Sequence, residues 1–263
     1  MTAGSRAPVE RRRVGRLDVN VYATRTAAGA AAGELVEAAM SELLDRQELV
    51  RVVFASAPSQ LELLQALRAS TQVDWSRVVA FHMDEYLGLP PDAPQRFSAF
   101  LRRELFDLVA PGAVNLIEPS DPDTELARYE ALLRDAPIDL VCCGIGENGH
   151  LAFNEPGSCS FSDEAWLALV PLSEASRRQQ VNDGCFAQLA DVPVTAVTMT
   201  VPALVSARRI VGVVPGPTKA AALARTMDGP IDESCPATIL RTHRAATLFV
   251  DRDAFPVPAA RGR

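Results

Sequence analysis

The chain has 263 residues, 48% hydrophobic and 22% charged, with 15 glycines and 19 prolines, which excludes fibrous, collagen-like and disordered classes. Its formal charge of −7 means that the surface as a whole repels nucleic acid and anionic lipid, so an anionic ligand needs a local cationic pocket. Five cysteines, at positions 142, 143, 159, 185 and 235, show no C-x-x-C spacing and no nearby histidine pair, which argues against a disulfide framework and against a zinc site.

Residues 1–16 carry Arg6, Arg11, Arg12, Arg13 and Arg16 but no apolar stretch of a secretory signal, and they read as a flexible Arg-rich tail. No window approaches the ~18 apolar residues of a membrane helix, so no membrane partner is expected and the cytoplasm is the default compartment. Residues 17–22 alternate as a strand, and the alanine-rich stretch 27–44 has a helical period. Strands are expected at 49–55 and 77–83 around a helix at 61–68, followed by helices at 97–109 and 124–134. The apolar run 138–143 is too short for a helix, and runs at 194–200, 209–214 and 247–250 alternate with a helix at 218–227.

This alternation predicts an α/β fold: a mainly parallel, Rossmann-like sheet with helices on both faces. No repeat or polar linker divides the chain, so residues 17–255 read as a single domain, with 256–263 as a C-terminal tail. Ser56–Gln60 and the segments 84–90, 144–155 and 215–219 each follow a predicted strand, and ligands of open parallel sheets bind outside the carboxyl ends of strands.

The segment Gly144-Ile145-Gly146-Glu147-Asn148-Gly149-His150-Leu151-Ala152-Phe153-Asn154-Glu155-Pro156 is the strongest chemical signal. Its glycines allow positive φ and close approach of backbone N–H groups to a ligand. An imidazole followed five residues later by a carboxylate is apparatus for moving protons near neutral pH, although a histidine that only caps a turn is the plainer reading. Asp84-Glu85 follows a strand, and Asp84, flanked by Met83 and the Leu87-Gly88-Leu89-Pro90 turn, is the better candidate for a buried base. Of the 26 basic residues 25 are arginine, which makes the sole lysine, Lys219, at the start of a predicted helix, a candidate for an anion. His243 reads as structural, and Cys142-Cys143 as small hydrophobes in a strand.

Phe81-His82-Met83-Asp84-Glu85-Tyr86-Leu87-Gly88-Leu89-Pro90 resembles the F-x-M-D-E-Y-x-G-L-P motif of the glucosamine-6-phosphate deaminase (isomerase) family. Gly146 to Pro156 resembles that family's G-x-x-G-H-x-x-F-N-E-P, and Pro215-Gly216-Pro217-Thr218-Lys219 is similar to its G-x-x-K. The resemblance implies conversion of glucosamine 6-phosphate, or a close analogue, to fructose 6-phosphate and ammonia, without metal or organic cofactor. It implies that Asp84 takes the proton from carbon 2, His150 opens the pyranose ring, Glu155 orients His150, and Lys219 pairs with the phosphate. Asn148 stands where many members have aspartate and is read as tuning the catalytic group. Ser56, Ser59, Gln60, Glu85 and Gly146 complete the expected substrate contacts. The same fold group holds the 6-phosphogluconolactonases, so a lactone hydrolase is one alternative, and a non-catalytic sugar-phosphate sensor is another. Homo-oligomers are a further expectation from the family.

Two departures bear on the phosphate. The family's Thr-Gly-Gly-Thr/Ser loop is here Ser56-Ala57-Pro58-Ser59-Gln60, in which Pro58 has no N–H to offer. Asn182 occupies the position of the family's phosphate-contacting arginine, with Arg177 and Arg178 as the nearest replacements.

Overall fold

The structure, a computed structural model, describes residues 7–118 and 121–255. The chain enters it as an antiparallel ribbon, β1 (Glu10–Val14) on β2 (Leu17–Tyr22), turned at Gly15 with φ of 61°. The expected flexible tail is thus corrected for residues 10–14. A run of three arginines has no apolar face to announce a strand, yet its backbone pairs along β2 while the side chains stay in solvent. Residues 1–6, and the expected tail at 256–263, lie outside the described residues.

Strands and helices then alternate: α1 (Arg25–Leu44), β3 (Val50–Phe54), α2 (Leu61–Ala69), β4 (Val78–His82) and β5 (Asp84–Tyr86). Next, α3 (Phe97–Leu101) runs through a π-helical turn (Arg102–Phe106) into α4 (Asp107–Val109). β6 (Ala113–Asn115), α5 (Pro122–Arg134), β7 (Leu140–Cys143), β8 (Leu167–Pro171), α6 (Glu174–Asn182) and β9 (Thr195–Met199) follow. The chain closes with α7 (Val201–Val205), β10 (Arg209–Val214), α8 (Ala220–Asp228) and β11 (Ala246–Asp251). Among the described residues, eight strands form one sheet in the order β1-β2-β11-β10-β7-β3-β4-β6, parallel throughout except for β1. A small antiparallel sheet, β5-β9-β8, stands beside it.

The central strands β3, β4, β7 and β10 are apolar at all positions but Arg51, His82 and Arg209, because helices cover both faces of the sheet. Consecutive residues therefore enter different cores. Val53, Val141, Cys143 and Ile210 pack with Tyr129 and Leu133 of α5 and with Leu223 and Met227 of α8. Val52, Phe54, Leu140, Cys142 and Val211 pack with Val36 and Met40 of α1 and with Leu63 and Leu67 of α2. α1 and α2 cross closely because Gly29 and Gly33 leave no Cβ where Glu62 and Ala66 pass. A third cluster, centred on Tyr86, Phe97, Phe153 and Phe186, packs the small sheet against the loops beyond the large one. Among the described residues no helix is long and apolar enough to cross a membrane.

Candidate active site

The four loops meet. They leave the carboxyl ends of β3, β4, β7 and β10, neighbouring strands at the centre of the sheet, and Ser56, Ser59, Asp84, Gly146, His150 and Lys219 line one cleft between them. The protein thereby brings an acid, an imidazole and an ammonium together from positions 135 residues apart in sequence, from 84 to 219.

Asp84 is 6% exposed, and no hydrogen bond engages its carboxyl among the described residues. Burial, reinforced by the neighbouring charge of Glu85, raises its pKa well above the usual carboxylate range. Glu85, expected to contact substrate, does not line the cleft. Its Oε1 accepts the N–H groups of Tyr86 and Phe97, each at 3.0 Å, and its Oε2 accepts Ser98 N–H at 3.0 Å and Ser98 Oγ–H at 2.7 Å. With Arg96 Nε 3.5 Å away, this carboxylate is fully engaged in fastening β5 to the start of α3.

Gln60 is likewise a strut. Its Nε2 donates to Val213 O at 3.2 Å and to Ser59 Oγ at 3.0 Å, tying the loop after β3 to β10 instead of facing the cleft. Ser56 and Ser59 do face it, and Ser56 Oγ is buried with no partner. Pro58 opens a 3₁₀ turn (Pro58–Gln60), and its carbonyl accepts both the Leu61 N–H that closes the turn and Arg25 Nη2–H, the latter at 2.8 Å.

His150 is held on three sides. Its Nδ1 lies 2.9 Å from Ser176 Oγ of α6, its own N–H donates to Asn148 Oδ1 at 3.1 Å, and its carbonyl accepts Gly146 N–H at 2.9 Å. Gly146 must be glycine because a Cβ there would collide with Cε1, Nε2 and Cδ2 of the imidazole. Of the three glycines in this loop, Gly149 alone takes positive φ, 95°, where Cys235 packs against it. Burial and the nearby Lys219 charge push the His150 imidazole down to about 4 against the opposing pull of Glu155. Glu155 sits behind the histidine, its Oε2 accepting Asn148 Nδ2–H at 2.8 Å and standing 4.0 Å from His150 Nδ1. Asn148 therefore acts on Glu155 and on the backbone of His150, outside the cleft. Asn154 locks the loop to β9 by donating to Met199 O at 2.8 Å.

Lys219 ends a 3₁₀ turn (Pro217–Lys219) just before α8. Sequence position suggests an exposed helix start, but the side chain is only 6% exposed. No acceptor among the described residues hydrogen-bonds its ammonium. Burial lowers its pKa, and the more distant Asp183 and Glu147 charges partly restore it. Asp251, at the end of β11, fixes this loop by accepting Gly216 N–H at 3.0 Å. Neither replacement arginine reaches the cleft: Arg177 donates to Leu189 O at 2.7 Å and to Val192 O at 3.0 Å, and Arg178 pairs with Glu174. Gln179 and Gln180 of α6 line the cleft in their place. Those two residues, Ser176 and Asp251 were not legible in the sequence. The only hint was Ser173, a helix N-cap whose hydroxyl accepts Ser176 N–H at 3.1 Å.

Fold and site together define an α/β protein with an acid–base cleft at the carboxyl ends of its parallel strands, carrying one unpartnered ammonium. The family model described as glucosamine-6-phosphate isomerases/6-phosphogluconolactonase matches residues 23–249, and the chain belongs to that family. It is 37% identical over 223 residues to a glucosamine-6-phosphate deaminase of Exiguobacterium sibiricum, covering 82% of this chain and 86% of that one. A protein of the same name from Bacillus thuringiensis is 34% identical over 231 residues, covering 84% of each chain. Among solved structures, a monomeric glucosamine-6-phosphate deaminase superposes with a TM-score of 0.82 at 27% identity, covering 90% of this chain and 98% of its own. The 6-phosphogluconolactonase of Thermotoga maritima shares the fold, with a TM-score of 0.72 at 21% identity, covering 89% of this chain and 99% of its own.

Proposed function

We propose that the protein converts glucosamine 6-phosphate, or a close amino-sugar phosphate, to the ketose phosphate and ammonia. The observation that carries this reading is the shared cleft of Asp84, His150 and Lys219, in which a buried carboxyl with raised proton affinity faces the same space as an unpartnered ammonium. Lys219, with the hydroxyls of Ser56 and Ser59, binds the phosphate. His150 takes the proton of the carbon 1 hydroxyl and returns it to the ring oxygen as the bond from carbon 1 to that oxygen breaks, leaving an aldehyde. The aldehyde acidifies the carbon 2 proton, which Asp84 removes while the electron pair forms the carbon 1–carbon 2 double bond of an enolamine and the carbonyl oxygen takes a proton from solvent, a proton returned to solvent when ammonia leaves.

Asp84 then delivers its proton to carbon 1, and the nitrogen lone pair forms the iminium at carbon 2. Water adds at carbon 2 and ammonia leaves, so the net reaction consumes one water and is hydrolytic at the carbon–nitrogen bond. Burial suits Asp84 to this work, since a carboxylate with a raised pKa is a stronger base than one in water. Incubation with glucosamine 6-phosphate should release ammonia and fructose 6-phosphate in equal amounts. Absence of ammonia from every hexosamine phosphate would overturn the proposal, and turnover of 6-phosphogluconolactone in its place would reassign the cleft to lactone hydrolysis.

A further inference from the structure

His150 is held by a hydroxyl from another element, and the carboxylate of its own loop stands farther off. Ser176 Oγ is 2.9 Å from His150 Nδ1, against 4.0 Å for Glu155 Oε2. Glu155 is already occupied by the amide of Asn148 at 2.8 Å and by Ser173 N–H at 3.4 Å. Ser176 itself is 1% exposed and built into α6, so its hydroxyl has little freedom to turn elsewhere. At the opposite edge of the ring, Nε2 makes no hydrogen bond among the described residues, and the missing Cβ of Gly146 leaves the space beside it clear.

We infer that Ser176 is a positioning residue for ring opening: its oxygen accepts the Nδ1–H of His150 and thereby keeps the Nε2 lone pair as the atom that exchanges protons with the sugar. The other tautomer would place a hydrogen on Nε2 and leave nothing there to accept the carbon 1 hydroxyl proton. A hydroxyl suits this role better than a carboxylate. An ionised partner against Nδ1 would hold the imidazolium and retard the proton's return to the ring oxygen, whereas Ser176 supports the neutral and the charged ring alike. The charged groups around the imidazole are Glu155 on its own loop, Lys219 ahead of α8 and Asp84 across the cleft. Glu155 favours the imidazolium, while burial and Lys219 oppose it.

The inference rests on the proposed deaminase reading for its kinetic consequence, but its structural core is testable without substrate. The chain has three histidines, so ¹⁵N-histidine NMR of the substrate-free protein, assigned with a His150→Asn sample, reads the tautomer and titration of His150 directly. The native protein should show Nδ1 protonated. In Ser176→Ala, water entering the vacated space, or Glu155 moving in, should raise the His150 titration by about half a pH unit or more. The acid limb of kcat/KM should move with it, and kcat should fall roughly tenfold with little change in KM. Ser176→Thr should restore both, and Ser176→Cys replaces the alanine variant if that one does not fold. An unmoved tautomer and titration in the alanine or cysteine variant would overturn the inference. If the native protein releases no ammonia from any hexosamine phosphate, the functional reading falls, while the NMR result still decides the Ser176–His150 assignment.

Discussion

Asp84 and Glu85 are adjacent carboxylates on one three-residue strand, and they live in opposite environments. Glu85 is surrounded by four donors and an arginine, whereas Asp84 is buried beside it with none. One fixes the loop and the other is left poised, and the small sheet that separates them makes the division.

The first prediction concerns Asp84. Asp84→Asn should lower kcat by about 10²- to 10⁴-fold and abolish exchange of the carbon 2 proton with deuterated solvent, with KM nearly unchanged. The same variant should be more stable than the native protein at neutral pH. A carboxyl with a raised folded pKa binds its proton more tightly when folded, so native stability declines as pH rises from 3.8 through that raised value, and asparagine has no such loss. Urea midpoints should therefore diverge above pH 3.8 and converge below it.

Glu85→Gln should behave in the opposite way. Replacing an ionised acceptor of three backbone N–H groups and the Ser98 hydroxyl, with Arg96 left 3.5 Å away, should cost about 2–4 kcal/mol in urea unfolding. A loss of affinity with unchanged stability would return Glu85 to the list of substrate contacts.

Lys219→Met tests the phosphate. It keeps the buried stem and removes the ammonium, so KM for the phosphorylated sugar should rise roughly 30-fold, about 2 kcal/mol, while thermal stability stays level or increases. The unphosphorylated sugar should be used equally by variant and native protein.

Histidines should set the acid side of the stability curve. His150 is depressed to about 4 and His82, fully enclosed and accepting Ile117 N–H at 2.7 Å, to about 3. Each binds fewer protons folded than unfolded, so stability that is complete above pH 6.5 is lost as pH falls toward those values. His150→Asn should show a shallower loss between pH 6.5 and 4 in the same urea titration.

The sequence already contained the fold wherever both faces of a strand are covered, because such strands are continuous apolar runs: residues 140–143 and 210–214 are examples, while 17–22 is legible by its alternation. It concealed β1, β6 and β8: β1 is an edge strand of charged residues, β6 spans only three positions, and β8 is a half-exposed edge strand whose apolar residues show no alternation. Asp84, His150 and Lys219 were legible because their motifs sit directly after strands. Glu85 and Gln60, expected as substrate contacts, turn away from the cleft, and a one-dimensional pattern does not say toward which side a buried polar group turns. Ser176 was invisible for a related reason: its importance lies in a partner 26 residues away, brought close by β8 and α6.

The central position of β7 and β10 has a kinetic meaning. β10 enters the sheet between β7 and β11, so the sheet is not continuous from β3 to β11 until the last third of the chain has been placed. No fragment ending before Lys219 contains both the proton-handling groups and the ammonium. Recovery of activity during refolding should therefore lag recovery of helical signal, and the enzyme's own turnover becomes a reporter of the final long-range closure.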